Sequence, residues 1–300
     1  MLKPAAALPQ VPFTATSAVA AGIPRHRLQR LVRSREVRRV LHGVYQAADV
    51  PDTLLNRARA VALVVSRFAV LCDRTAAWLH GVDVLDYREL DLLPPVETFV
   101  LRDHSRIRRA GTSGGERDLA DGDVMVIHGV KVTTPLRTAL DLGCLLPRRS
   151  ALAALDGFMR HHGLTPNDFK TALPRYFRRR GVVQLRELVN IADPRAELSG
   201  ESWTRIALID ELLPRPELQW VIRQDGREIA RLDLAYPRAR VAVEYDGEEF
   251  HDSPDQSEAD KRRRRWLCDH GWTVIVVTKA SFGPDQIAVW TAEVRRALHV

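Results

Sequence analysis

The stretch VAVEYDGEEFHD, residues 241–252, decides how the last third of the chain is read. Val241, Val243 and Tyr245 alternate with Ala242, Glu244 and Asp246, the period-two pattern of a half-buried strand. The preceding stretch RLDLAYPRAR, residues 231–240, alternates in the same way, and Pro237 suits the second position of a tight turn. A hairpin in which Pro237 faces Arg240 sets Asp233 opposite Glu244, Arg231 opposite Asp246 and Ala235 opposite Ala242. Leu232, Leu234, Tyr236, Val241, Val243 and Tyr245 then share the other face and head for a core. Directly opposed side chains have Cβ atoms about 4.5–5.5 Å apart, where two like charges destabilise a sheet.

A hard divalent cation would relieve that repulsion, so Asp233 and Glu244 are expected as ligands of Mg²⁺, with the two alanines leaving room for a phosphate. Glu201, near the start of a helix, offers a third carboxylate, and Asp246 an extra ligand or an orienter of water. His251 reads equally as a loop residue and as a base or proton donor. The run KRRRRW, residues 261–266, follows the acidic loop, placing Lys261 and Arg263 where a phosphodiester would need cations. The competing reading is a surface hairpin in which Arg231 neutralises Asp246.

Elsewhere the chain reads as a multi-domain α/β protein. The net charge of +7 is unevenly spread: residues 1–48 hold eight Lys/Arg and a single acid, Glu36, whereas residues 196–300 are net acidic. In FTATSAVAAGIPRHRLQRLVRSREVRRVLHGVYQA, residues 13–47, a short helix ends at Gly22 and a second begins at Pro24. Leu28, Leu31 and Val32 give that second helix an apolar face, and a β wing turns at His42-Gly43. This is a winged helix-turn-helix over residues 1–48. Arg25, Arg27, Arg30 and Arg33 on the helix, with Arg38 and Arg39 on the wing, are the expected DNA contacts.

Residues 49–195 read as an α/β segment: a long helix over 54–71, strands near 98–101, 124–127 and 130–132, and a helix in TPLRTALDLG capped at Gly143. The stretch ADPRAELSG, residues 192–200, marks a boundary before a third domain, 196–300. The run RYFRRR, residues 175–180, is a weaker basic signal, read mainly as a solvated helix end. Three separated cysteines fit buried thiols of a cytoplasmic protein and no zinc site. No apolar run reaches the roughly 18 residues of a membrane span, and the N-terminus lacks the apolar core of a signal peptide.

Two resemblances follow from these residues. Residues 13–47, together with WLHG and PLRTALDL, resemble AbiEi-type antitoxins and related transcriptional regulators. That resemblance implies DNA binding, regulation of an operon, and a nucleotidyltransferase-type toxin as partner, with no catalysis. Residues 197–290 resemble Vsr-like domains of the PD-(D/E)XK nucleases through ESWTR (201–205), RLDLAYP (231–237), VEYDG (243–247) and GWTVIVVT (271–278). This implies a restriction-endonuclease-like α/β domain with a central mixed sheet and Mg²⁺-dependent cleavage of DNA. Asp246 stands where that superfamily has a lysine. The two functional expectations are therefore a metal-dependent DNA endonuclease and, as the alternative, a non-catalytic regulator whose C-terminal domain only binds nucleic acid or a partner.

Overall fold

The computed structural model describes residues 7–65, 69–84, 96–100, 112–115, 117–247 and 254–299, with side chains left undescribed at 100, 112 and 254–260. The chain is a mixed α/β protein that divides into two compact units, residues 1–142 and 143–300.

The first unit opens with β1 (Phe13–Thr14), α1 (Ala15–Ala20), α2 (Arg25–Arg33), β2 (Val37–Leu41) and β3 (Val44–Ala47), the strands ordered β1-β3-β2. Thr14 caps α1, its hydroxyl accepting from the Ser17 N–H at 3.1 Å. Gly22 takes the left-handed conformation, φ +83°, that turns the chain into α2. Leu28 and Leu31 bury with Phe13, Ala18, Ile23 and Val37, the small core expected of a winged helix.

Next come α3 (Leu54–Ala62), β4 (Ala69–Leu71), α4 (Asp73–Leu79), β5 (Val96–Val100), β6 (Thr112–Ser113), β7 (Val124–Ile127), β8 (Val130–Thr133) and α5 (Pro135–Leu145), the five strands ordered β6-β5-β4-β8-β7. The expected helix over 54–71 is thus shorter. Its described part ends at Ala62, and Ala69–Leu71 is a fully buried strand, because an apolar run rich in β-branched residues fits a buried strand as well as a helix. The wing shares this core: Leu41 and Val44 pack with Ala58, Val61, Leu71 and Val132. Gly143 does not cap α5. It lies inside the helix, where a Cβ would come 2.5 Å from the Leu185 side chain, so the glycine serves a close approach.

The second unit comprises α6 (Arg148–His162), α7 (Pro166–Ala172), α8 (Val182–Val189), α9 (Ser199–Asp210), β9 (Glu217–Gln224), β10 (Arg227–Tyr236), β11 (Val241–Asp246), α10 (Pro254–Asp269), β12 (Thr273–Thr278) and α11 (Pro284–Leu298). The sheet runs β12-β11-β10-β9; β10 is antiparallel to both of its neighbours, β9 and β11, and β12 is parallel to β11. It is a central mixed sheet, as expected. One apolar layer joins Leu234, Tyr236, Val241 and Val243 to Trp203, Leu208, Phe282 and Trp290 of α9, α11 and the turn before α11. A second joins Ala230, Leu232, Ala235 and Ala242 to Leu267 of α10.

This core reaches back across the expected boundary at 195/196. Ala153 of α6 belongs to the first layer, and buried Asp156 of α6 pairs with buried Arg205 of α9. Asp156 also accepts from the Ser202 hydroxyl at 2.6 Å and the Asp193 N–H at 2.8 Å. A stretch starting at 196 would leave Arg205 charged and unpaired inside the core.

Candidate nucleic-acid interface and carboxylate cluster

The hairpin forms in the expected register, with Leu234 opposite Val243, Ala235 opposite Ala242 and Tyr236 opposite Val241. The ladder ends there, one residue before the expected Asp233–Glu244 opposition. Asp233 instead turns its carboxylate to the backbone, accepting from the Tyr245 N–H at 3.0 Å. Leu232 packs with the α10 layer rather than with Leu234, so the alternation is not kept through Asp233. Ala235 and Ala242 leave no room for a phosphate, because both are fully buried beside Leu267.

The carboxylates nonetheless gather. Glu201, 3% exposed, lies on the first turn of α9 and accepts from the N–H groups of Glu197 (3.0 Å) and Leu198 (3.2 Å) and from the Gln219 amide (2.9 Å). Helix and sheet fit closely here, for a Cβ on Gly200 would come 2.2 Å from the Tyr245 ring. Burial, then the charge of Glu201, raise the Asp233 carboxyl to about 7; Glu244 adds to the rise, while the Tyr245 N–H and Arg263 oppose it. Burial also raises Glu201.

Glu244, 4% exposed, is gripped by the forked guanidinium of Arg263, at 2.6 and 3.0 Å. Arg264 bonds Asp246 at 3.0 Å, and its Nε lies 3.8 Å from Glu244. Arg231, the expected partner of Asp246, pairs with Glu197 at 2.9 Å. Both oxygens of Glu244 are thus taken by a cation the protein supplies, and those of Glu201 by hydrogen-bond donors. Among the described residues no group of three or more His, Cys, Asp or Glu is placed to hold a metal ion. This donor set does not fit the expected Mg²⁺ site. Arg263 faces a carboxylate rather than solvent, Lys261 is exposed, and His251 lies outside the described residues.

The winged helix presents the opposite situation. Arg25, Arg30, Arg33 and Arg39 are exposed, and none forms an ion pair with a described residue. The one acid of this segment, Glu36, instead accepts a hydrogen bond from Ser34 at 2.6 Å. Arg27 is half-buried. Arg38 turns inward and donates to the Val50 carbonyl at 2.9 Å, which makes it part of the scaffold. Two exposed residues of α2, His26 and Gln29, flank the arginines and carry no charge pattern that would single them out in the sequence. The run 175–180 begins in the 3-10 turn Leu173–Tyr176 that ends α7 and leads out of it, so it is a helix end, as expected. Phe177 is two-thirds exposed, with the Arg178 guanidinium 5.3 Å from its ring centroid.

The middle of the chain holds a charge network that the sequence does not announce. Arg117 forks onto Asp73 (2.6 and 2.8 Å), reaches Asp141 at 2.9 Å and lies 3.7 Å from the Phe99 ring centroid. Arg137 joins Asp141 (3.0 Å) to Asp123 (2.8 Å). Within PLRTALDL and WLHG, the polar residues Arg137, Asp141 and His80 are thus held by contacts inside the protein. Arg137 and Asp141 pair one turn apart, and the His80 ring lies 2.7 Å from the Thr133 carbonyl. Burial pushes the adjacent Cys72 thiol up to about 12, the state of an inert core cysteine.

These residues lie in the stretch that comparison identifies. Residues 68–191 match the AbiEi antitoxin C-terminal domain family, which defines the class of this central region. Two curated proteins of Mycobacterium tuberculosis, Uncharacterized protein MT2308 (strain CDC 1551 / Oshkosh) and Uncharacterized protein Rv2248 (strain ATCC 25618 / H37Rv), are each 36% identical over 270 residues, covering 88% of this chain and 94% of the relative. The chain belongs to the family of these mycobacterial proteins. The match to the antitoxin family stops at 191, before the carboxylate cluster.

Proposed function

We propose that the chain is a DNA-binding regulator of the antitoxin type, which uses the winged helix to hold DNA and works beside a nucleotidyltransferase-type toxin. The observation that carries this reading is the set of exposed guanidiniums on α2 and the wing, with no carboxylate among the described residues to neutralise them. Cations left without partners suit phosphate, and binding that displaces counterions weakens steeply with salt. The match to the AbiEi antitoxin C-terminal domain supports the regulatory class. The test is fluorescence anisotropy with a labelled duplex from upstream of the chain's own gene. Arg30→Ala combined with Arg33→Ala should weaken binding at least tenfold, with the melting temperature kept. Unchanged affinity in the double variant would remove the reading.

A second reading, a metal-dependent endonuclease, is favoured by the order of elements from α9 to β12 and by the convergence of Glu201, Asp233 and Glu244. A cation would first have to displace Arg263 from Glu244. Mg²⁺-dependent nicking of plasmid by the full chain, abolished in Asp233→Asn, would support this reading. A chain inert across several divalent metals would end it.

A further inference from the structure

A groove of about 380 Å³ runs between α2 and the wing. Leu28 and Val32 line it, Arg25 and Arg33 stand on the helix side, and Arg39 and Tyr45 on the wing side. Tyr45 is fixed from behind by stacking on Phe13, 6.1 Å between ring centroids, and the Arg39 guanidinium lies 5.8 Å from the Tyr45 ring. Arg25 and Arg33 are eight residues apart, about 12 Å along a helix. Cations spread over that distance, with a third on the facing wall, do not converge on one small anion. They suit an extended polyanion lying along the groove.

Arg30 lies elsewhere on the helix. Leu28 and Leu31 face the core, so Arg30 and His26, four residues apart, form the outward edge that would enter a major groove. A guanidinium is the side chain that forks onto guanine O6 and N7.

We infer that the groove between α2 and the wing seats one sugar–phosphate strand of duplex DNA, held by Arg25, Arg33 and Arg39, and that Arg30 on the outward edge selects a guanine. This division of labour rests on the DNA-binding reading and goes beyond it, because it separates residues that give affinity from the one that gives sequence choice.

The experiment uses the full chain. A random-sequence duplex library is selected on the wild type, and affinities are then measured over a range of salt for the selected duplex and a scrambled one of equal composition. Arg33→Ala and Arg39→Ala should weaken both duplexes by the same factor, each flattening the slope of log affinity against log salt by about 0.9. Arg30→Lys keeps the charge but loses the fork. It should therefore keep the slope and lose roughly tenfold on the selected duplex alone. An unchanged slope in Arg39→Ala would take the strand out of the groove. Full discrimination in Arg30→Lys, or a selection that yields no preferred sequence, would overturn the base-selecting role. A wild type that binds no duplex at all would instead refute the DNA-binding reading beneath it.

Discussion

The arginines of α2 and of α10 look alike in the sequence, RHRLQRLVR in one and KRRRRW in the other, and the fold uses them in opposite ways. On α2 the side chains of Arg25, Arg30 and Arg33 are exposed beyond a small apolar core, and no described carboxylate pairs with them. On α10, Arg263 and Arg264 reach across to Glu244 and Asp246 on the neighbouring strand. A basic run thus has no meaning of its own. What lies opposite decides whether it is an offer to a partner or the internal counterweight to a buried acid.

The contrast is broken most severely where a pair is most deeply enclosed. Asp156 and Arg205 have side chains only 1% and 4% exposed. Asp156→Ala leaves the guanidinium buried and uncompensated, and should cost about 3–5 kcal/mol in chemical denaturation of the full chain. A loss below about 1 kcal/mol would mean that water reaches Arg205.

Arg263→Ala tests the α10 side at a more exposed pair, the arginine side chain being 28% exposed against 5% for Glu244. Solvent screening reduces the expected loss to about 1–3 kcal/mol. Removing the guanidinium also removes both hydrogen bonds to Glu244, leaving only Arg264, at 3.8 Å, beside it. Millimolar Mg²⁺ should then raise the melting temperature of the variant while leaving the wild type unmoved. Equal responses would show that Arg263 does not guard the cluster.

Asp233→Asn gives an effect whose size depends on pH. The folded carboxyl holds its proton up to about 7, against an ordinary value of 3.8, so the folded state binds the proton more tightly than the unfolded chain. The stability linked to that proton is full below about 4 and is lost as pH rises through 7. The asparagine carries no charge and can still accept from the Tyr245 N–H. The variant should therefore exceed the wild type by on the order of 1–3 kcal/mol at pH 8 and lose that advantage towards pH 4. A variant less stable than wild type at pH 8 would mean that the ionised carboxylate is compensated after all.

The hairpin was legible down to its register, because Pro237 fixes the turn and the alternation on each strand leaves few pairings open. The helices and wing of the first 48 residues were legible for similar reasons: Gly22 ends one helix, and the spacing of Leu28 and Leu31 names the buried face of the next. The fate of the carboxylates was not legible. Periodicity places a residue on a face of its own element and says nothing of what packs against that face, so neither the cover of Leu267 over Ala235 nor the fork of Arg263 on Glu244 follows from spacing. The network of Arg117 with Asp73 and Asp141 joins residues 44 and 24 positions apart in an aperiodic stretch, and no local pattern announces it.

The wing contributes Leu41 and Val44 to the apolar core beneath it, alongside Ala58, Leu71 and Val132, while Arg38 ties it to the Val50 carbonyl. It is therefore a shared wall, one side carrying the exposed Arg39 and the other belonging to the α/β layer. A close-packed interior does not yield smoothly, so a displacement of that wall is felt by the whole layer. Thermodynamic reciprocity then binds the two sides together: a ligand of the α/β layer that alters DNA affinity by some factor must have its own affinity altered by DNA in the same proportion.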